Sequence, residues 1–237
     1  GPNDSGSSRY HIMREIDKTL SRLKTDHIDV YLLHGYDYDT PLDETLRALD
    51  DLVTSGKIRY AGCCNFSAWQ VCKALWIADK LNLDRFICVQ NPYSLLNRTI
   101  ESELFGLIRD QKLGMMAFSP IGAGLLSGSY TVGQPPPPNS PWSTKDRDRY
   151  NRSMSGNTPA ILTTLKTISE NRNKSVAQIA LRWVLSKNEV TVAITGSDTT
   201  KQLDENIGAL GWELTTDEIS VLDHASLGSN ISFVSLV

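Results

Sequence analysis

The side chains best suited to chemistry in this sequence stand where short apolar runs end. His34 closes the run 28–34, Asn65 follows the run 58–64, and Gln90 closes the run 86–90. Histidine is the side chain whose ordinary pKa lies closest to neutrality, so it often orients or protonates a substrate. His34 is therefore the first candidate for a catalytic residue.

Regular elements must hold these side chains in place. Runs rich in β-branched and aromatic residues predict strands, and the first of them is expected to pack on both faces. Apolar residues at helical spacing, with Ser7 or Ser8, Pro41, Gly56 and Ser67 at the ends, predict the helices between them. The predicted strands are 28–34, 58–64, 86–90, 115–118 and 190–194, and the predicted helices are 8–24, 41–56, 67–81, 100–112, 159–172, 176–187, 200–210 and 216–226.

Strands that alternate with helices predict an α/β fold with a parallel sheet. Each predicted strand ends in a polar or small residue, which is typical of the active-site edge of a (β/α)8 barrel. Five of its eight strand–helix units are found here, in one partial domain over residues 1–237. A doubly wound sheet is the alternative, although no GxGxxG turn opens any predicted helix. Residues 122–158 form a long Gly/Pro/Ser-rich loop, expected to be functional, a lid or disordered, and 228–237 an irregular tail.

The composition and charge of the chain limit which classes of binding partner are expected. The net charge is −3 and no basic stripe is interleaved with aromatic residues, so nucleic acid is not expected as a partner. No apolar run approaches the roughly 18 residues of a membrane span, and none of the four cysteines forms a CxxC pair. The sequence predicts a soluble cytoplasmic protein with small buried thiols, and no metal site is assigned.

Several segments resemble the aldo-keto reductase family in the same order along the chain. Residues 23–34 (LKTDHIDVYLLH) are similar to the family's RLxTDYIDLYxxH, and 56–66 (GKIRYAGCCNF) to its GKvRyiGvSNf. Residues 90–98 resemble QxxYSLLNR, and 118–128 resemble YSPLgxGlLtG; 177–185 and 202–206 complete the set. The long loop is similar to that of members related to potassium-channel β subunits and aryl-alcohol dehydrogenases.

This resemblance implies a TIM barrel that reduces aldehydes or ketones to alcohols with NADP(H). His34 matches the histidine that orients the substrate carbonyl, Cys64 replaces a serine, and Phe118 matches a ring that stacks on nicotinamide. The residues that match the nicotinamide and pyrophosphate contacts are Cys64, Asn65, Gln90, Phe118, Ser119, Ile121, Gly122, Gly124 and Leu125, and those that match the adenosine subsite are Gly196, Ser197, Asp198, Gln202, Glu205 and Asn206.

The matched residue types also suit these contacts chemically. Asn65 and Gln90 each offer the donor and the acceptor that a carboxamide needs. Gly122 lets a backbone approach phosphate closely, and a helix that begins near residue 200 attracts anions. Asp198 would repel a 2′-phosphate, which only nearby Lys201 could offset, so NADH is kept beside NADP(H). Tyr36 and Tyr93 are predicted as walls of the substrate pocket and not as acids, because an unassisted phenol with a pKa of about 10 is a poor acid. Trp142, in the long loop, is predicted as a further aromatic wall.

The family's catalytic aspartate, tyrosine and lysine have no match in this sequence, so His34 represents an incomplete catalytic set. Three interpretations follow: a truncated chain, a shortened homologue that self-associates through open barrel edges, or a non-catalytic regulatory protein that binds a nicotinamide nucleotide. A small-molecule carbonyl compound is the expected substrate under the leading, enzymatic interpretation.

Overall fold

The structure is a computed structural model that describes residues 4–144 and 147–231. The chain divides into two compact units. Unit 1 runs up to Asn91 and includes Glu103–Met115, whereas unit 2 consists of Pro92–Ser102 and the chain from Met116 onward. The expectation of one domain over residues 1–237 stays a prediction.

Unit 1 alternates strands with helices. Its strands are parallel and lie in chain order, with Tyr31 opposite Ala61 and Cys64 opposite Gln90. Its elements are α1 (Arg9–Leu23), β1 (Ile28–Leu33), α2 (Leu42–Thr54), β2 (Ile58–Cys64), α3 (Ala68–Leu81), β3 (Phe86–Pro92) and α4 (Leu104–Gln111), with a 3₁₀ turn at Thr99–Ser102 in unit 2 before α4. Parallel strands in chain order, each followed by a helix, confirm the α/β barrel-type fold and disfavour the doubly wound alternative.

The sequence-based expectation for β1 was wrong in one respect. Only Leu33 of this strand is buried, Asp29 is exposed, and the other four residues are half-buried. Among the described residues of unit 1, β1 pairs with β2 alone, so one of its edges receives no strand. An unpaired edge explains why this apolar run is less buried than a central strand of a parallel sheet.

Unit 2 contains the last part of β4 (Gly114–Phe118), which pairs in parallel with β5 (Val192–Ile194). Helices α6 and α7 pack on each other, and Ile161, Leu165, Ile179 and Trp183 contribute side chains with no exposed surface to the core. The helices are α5 (Arg147–Ser153), α6 (Thr158–Arg172), α7 (Val176–Leu185), α8 (Thr200–Ile207) and α9 (Thr216–Ala225).

Two parts of unit 2 differ from the sequence-based expectations. Helix α5 and a 3₁₀ turn at Leu125–Ser127 lie inside the long loop 122–158, where no helix was predicted. Helix α5 was not predicted because its sequence is mostly polar and shows no amphipathic pattern. Only Tyr150 and Ser153 of this helix are buried. Helix α8 is three residues shorter than predicted, because it ends at Ile207 with Gly208 as its C-cap. The tail 228–237 lies beyond the described residues from position 232 onward.

Side chains cap several helices as the sequence predicts. Ser8 accepts a hydrogen bond from the His11 amide at the start of α1, and Ser67 forms a capping box with Gln70 at the start of α3. Such caps satisfy amide groups that a helix leaves unpaired at its N-terminus, and each contributes about 1 kcal/mol. None of the helices within the described ranges is both long and apolar enough to cross a bilayer.

Candidate functional site

His34 and Asn65 are joined at the carboxyl ends of β1 and β2 in unit 1. His34 follows the last residue of β1 directly, and its side chain is exposed. The Asn65 Nδ2 donates a hydrogen bond of 2.9 Å to the His34 carbonyl oxygen. The parallel register of β1 and β2 brings these two strand ends side by side, so the predicted catalytic residue and the predicted cofactor residue meet.

Asn65 also carries the most informative polar atom of this junction. Its amide N–H donates to the Gln90 carbonyl oxygen at 3.0 Å, and its φ of 59° lies in the left-handed region that asparagine tolerates better than most residues. Its Oδ1 is buried and has no hydrogen-bond partner among the described residues. A buried acceptor without a partner costs free energy, so this atom indicates a place for a ligand that donates.

Cys64 directly precedes Asn65 in the chain, and its thiol is neutral near pH 7. It is 4% exposed, and burial, with a smaller contribution from Cys88, raises its pKa to about 11. Burial also raises the pKa of Cys63 and of Cys88. Three of the four cysteines are therefore buried thiols, as the sequence predicts, and only Cys72 is exposed.

A cavity of about 470 Å³ adjoins His34 within unit 1. The end of β1 and the loop after it line one side, including Tyr31, His34 and Tyr36. Helix α1 contributes His11 and Glu15 to the other side. The Nδ1 atom of His11 is buried without a hydrogen-bond partner in the part of the chain that the structure describes. His11 was not predicted from the sequence, because a single histidine on an amphipathic helix gives no signal of its own.

The predicted dinucleotide loop in unit 2 has an unusual backbone. It follows β4, and Ser119, Gly122, Ala123 and Gly124 all have positive φ angles between 51° and 90°. A series of turns joins its amides to its carbonyls, beginning with the Gly122 N–H to Ser119 carbonyl bond of 2.9 Å. Glycine tolerates these angles without strain, which explains the Gly-rich sequence here. Ile121 is half-buried and Leu125 fully buried, so Leu125 can offer a ligand its backbone but little of its side chain.

Trp142 fixes this loop from within the long segment 122–158. It is 1% exposed, and its Nε1 donates a hydrogen bond of 2.9 Å to the carbonyl oxygen of Ala123. Its ring lies 6.0 Å from that of Tyr150, which is also buried. The structure therefore shows Trp142 as a support of the loop that follows β4, and its predicted role in a substrate pocket stays a prediction.

The predicted adenosine subsite surrounds the start of α8. Gln202 Oε1 accepts bonds from the amides of Asp198 and Thr199, at 2.7 and 3.2 Å, and Asn206 Nδ2 donates to Ser197 Oγ. Gly196 precedes this group and is exposed, and Glu205 lies half-buried on the helix. Four of the six predicted residues, Ser197, Asp198, Gln202 and Asn206, thus take part in local hydrogen bonds, and a bound anion would compete with Gln202 for the amides of Asp198 and Thr199.

Tyr93 and Phe118 lie next to each other in unit 2. The Tyr93 amide donates to the Phe118 carbonyl oxygen at 3.1 Å, and Phe118 is half-buried at the end of β4. The Tyr93 ring has no exposed surface and stacks on Trp183, and its hydroxyl donates to Glu101 at 2.6 Å. Burial and Glu101 raise the Tyr93 pKa far above its ordinary value, so Tyr93 is unsuited to donate a proton in catalysis.

Arg98, a few residues further on, is at the centre of a structural network. Its guanidinium donates to both carboxylate oxygens of Glu101 at 2.8 Å, to the Asp223 carbonyl oxygen and to Ser226 Oγ. Lys187 and the indole of Trp183 donate to the Asp223 carboxylate at 2.7 and 2.9 Å. The resemblance in residues 90–98 therefore covers both a candidate site residue, Gln90, and a residue that holds unit 2 together.

Comparison with known proteins agrees with this geometry. A sequence model of the Aldo/keto reductase family matches residues 1–226. The chain belongs to the aldo/keto reductase family.

Relatives within the aldo/keto reductase family carry several functions in their names. A probable voltage-gated potassium channel subunit beta from Oryza sativa is 35% identical, over 89% of this chain and 64% of its own length. L-glyceraldehyde 3-phosphate reductase from Escherichia coli O157:H7 is 31% identical, over 94% and 65%. Versiconal hemiacetal acetate reductase from Aspergillus parasiticus is 30% identical, over 93% and 63%. The chain spans slightly less than two thirds of the length of each of these relatives.

The residues of this aldo/keto reductase chain fit a nicotinamide nucleotide on one decisive point. A carboxamide NH₂ could donate to the buried, unpaired Asn65 Oδ1. One N–H of the Asn65 side-chain amide is bound to the His34 carbonyl oxygen, so its second N–H and its Oδ1 remain as the donor and the acceptor that a carboxamide needs. The family and fold are confirmed, whereas the roles of the individual site residues stay predictions.

Proposed function

We propose that this chain carries the activity of an NADP(H)-dependent oxidoreductase that reduces aldehydes or ketones to alcohols. The observation that supports the proposal most directly is the junction of His34 and Asn65. There the Asn65 side chain binds the backbone carbonyl of His34, whose side chain is exposed, and the buried Asn65 Oδ1 lacks a hydrogen-bond donor among the described residues. The relatives named as reductases are consistent with the same chemistry.

Each residue of unit 1 has a distinct role in this proposal. When bound, the reduced nicotinamide supplies a hydride to the carbonyl carbon of the substrate. The imidazole of His34 donates a hydrogen bond to the carbonyl oxygen and so stabilises the alkoxide that develops there, which takes the proton it needs to become an alcohol from solvent water. Asn65 Oδ1 holds the carboxamide of the nicotinamide, with Gln90 beside it. Cys64 stays neutral near pH 7, because its pKa is about 11, and adds no charge below the ring.

In unit 2, taken by itself, the resemblance assigns residues to the pyrophosphate and adenosine parts of a nucleotide. The backbone of loop 119–125 would bind the pyrophosphate, and the start of α8 favours a negative charge. The choice between NADP(H) and NADH depends on Lys201, because Asp198 and Asp204 nearby oppose a 2′-phosphate. We propose NADP(H) from the family resemblance, and parallel titrations with NADPH and NADH measure this preference directly.

The test is an assay of NADPH oxidation at 340 nm with a small aldehyde. We expect His34→Gln to lower kcat about 100-fold, because it removes the group that polarises the carbonyl. His27→Gln is the matched control: His27 lies in the same unit and its ring contacts the exposed Asp26, so its loss leaves the rate unchanged. Equal rates for His34→Gln and the wild-type chain would contradict the proposal.

A regulatory protein that binds the nucleotide without turnover is the second candidate. It is favoured by the relative named as a probable voltage-gated potassium channel subunit beta. The two candidates separate in one experiment. Saturable quenching of tryptophan fluorescence by NADPH, without oxidation in the presence of any aldehyde, selects the regulatory role. Light scattering of the same sample measures whether the chain self-associates through its open sheet edges.

A further inference from the structure

Four aromatic side chains of unit 1 form a cluster beside the proposed catalytic histidine. Tyr36 is at its centre, and its ring centroid lies 4.9 Å from Tyr38, 5.3 Å from Phe66 and 5.7 Å from Trp69. Phe66 is buried, but Tyr38 and Trp69 are 78% and 54% exposed. We call these four residues the aromatic cluster. Part of it is core, and part is a large apolar surface in contact with solvent.

The aromatic cluster is continuous with the His34–Asn65 junction. Tyr36 follows His34 by two residues, and Phe66 follows Asn65 directly. The side-chain amide of Asn65 joins these two segments, because it donates a hydrogen bond to the His34 carbonyl oxygen. Tyr36 and His34 also line the same cavity of about 470 Å³. A compound whose carbonyl group lies at His34 can therefore reach Tyr36 within the cavity, and the other three rings pack against Tyr36.

The exposed ring of Tyr38 is held in position by a hydrogen bond to its hydroxyl group. The Gln70 side chain is 4% exposed, and its Nε2 donates a hydrogen bond of 3.0 Å to the Tyr38 hydroxyl. The Oε1 of Gln70 accepts from the Ser67 amide as part of the capping box of α3. Tyr38 is thus tied to a helix start although most of its surface is exposed. A preorganised aromatic surface binds a ligand at lower entropic cost than a mobile one.

We propose that the aromatic cluster binds the aryl group of a neutral aromatic aldehyde or ketone and so sets the substrate preference of the proposed reduction. Tyr38 and Trp69 are the specificity-determining residues, since their rings offer exposed faces for stacking. Asp37 and Asp39 flank Tyr38, and Asp37 accepts hydrogen bonds from Ser7, Asp39 and Thr40, which favours its ionised form. These carboxylates disfavour anionic substrates. The proposal rests on the proposed function, which it makes more specific.

The first test compares kcat/KM for benzaldehyde with that for cyclohexanecarboxaldehyde, which is close in size but lacks an aromatic ring. We expect Trp69→Leu and Tyr38→Leu each to lower this ratio about five-fold, the loss that corresponds to one aromatic contact. Trp76→Leu is the matched control, because Trp76 is 60% exposed on the same helix and contacts Lys80. An unchanged ratio in both cluster variants, or an equal fall in Trp76→Leu, would overturn the proposal.

A second test of the proposal varies the charge of the substrate. We expect 4-carboxybenzaldehyde to be reduced at least about five-fold less efficiently than benzaldehyde at pH 7, owing to the carboxylates beside Tyr38. An equal efficiency would reject the preference for neutral compounds.

A binding measurement separates this proposal from the reductase function itself. Failure to reduce any carbonyl compound would reject the proposed function, but acetophenone can still be titrated against the intrinsic tryptophan fluorescence of the whole chain. Saturable quenching that is weakened in Trp69→Leu and kept in Trp76→Leu supports an aryl-binding surface. The absence of saturable quenching in the wild-type chain would reject it.

Discussion

The His34–Asn65 junction in unit 1 and the Arg98 network in unit 2 show two opposite uses of polar residues. At the junction, the buried Oδ1 of Asn65 has no partner and the imidazole of His34 is exposed. In the network, Arg98 binds four acceptors, and the carboxylates of Glu101 and Asp223 each accept several hydrogen bonds. Both regions belong to segments that resemble the same family, so the resemblance does not separate them.

The difference teaches how to distinguish a site from a support. A satisfied polar network stabilises the fold and has little capacity left for a ligand. A buried polar atom without a partner destabilises the fold slightly and gains most when a ligand supplies that partner. Substitutions in the two regions should therefore affect different measurements: stability for the network, and nucleotide binding for the junction.

The largest effect is expected from Arg98→Ala. This change leaves the Glu101 carboxylate without its cation and the Asp223 carbonyl oxygen and Ser226 Oγ without the guanidinium donor, so it should lower the free energy of unfolding by about 3 kcal/mol, as measured by urea denaturation. Arg98→Lys should recover only part of the loss, because lysine cannot bind both oxygens of Glu101. Arg9→Ala, which removes an exposed ion pair with Asp51, is the control and should cost less than about 1 kcal/mol. Equal losses for Arg98→Ala and Arg9→Ala would contradict a structural role of the network.

The junction is tested by Asn65→Ala. Loss of the carboxamide should raise the Kd for NADPH about ten-fold, equivalent to about 1.4 kcal/mol, in a fluorescence titration. Asn82→Ala is the control, since Asn82 lies in the same unit with a similar left-handed φ of 53° and therefore suffers the same backbone strain. If both variants bind NADPH alike, Asn65 has no role in binding the nucleotide.

The loop after β4 is tested by Trp142→Phe. This change removes the bond to the Ala123 carbonyl oxygen and should lower stability by about 1 kcal/mol. Trp212→Phe removes a similar bond to the Gly208 carbonyl oxygen, so both variants should show similar losses. Only Trp142→Phe should also weaken nucleotide binding. Unaltered binding in that variant would separate the loop from the cofactor site.

The smallest effect concerns Cys64 at high pH. Folding raises its thiol pKa from 9.0 to about 11, so the folded chain favours the neutral thiol. The resulting stabilisation is complete below pH 9 and is lost as the pH rises through 11. We expect the urea midpoint to fall between pH 8 and 10.5, and to fall less in Cys64→Ala. An identical fall in both proteins would show that ionisation of this thiol does not contribute.

The sequence by itself determined the family and the order of the strands and of every helix except α5 and the 3₁₀ turn at Leu125–Ser127. Strand-forming runs, capping residues such as Ser8 and Ser67, and glycines at left-handed positions are local signals that act within a few residues. The motifs around His34 and Asn65 placed both residues at strand ends, and the structure agrees. The negative charge of Asp198, which would repel a 2′-phosphate, was also visible in the sequence.

Only the tertiary structure decided which of these residues have partners. The bond between Asn65 and His34 joins residues 31 positions apart, and the bond between Trp142 and Ala123 joins residues 19 positions apart. The lack of a partner for His11 Nδ1 depends on how the described residues pack around that atom. Burial likewise excluded Tyr93 as an acid and left β1 less covered than its apolar sequence suggests. Such properties follow from which surfaces meet in the folded chain, and no local pattern of residue types contains that information.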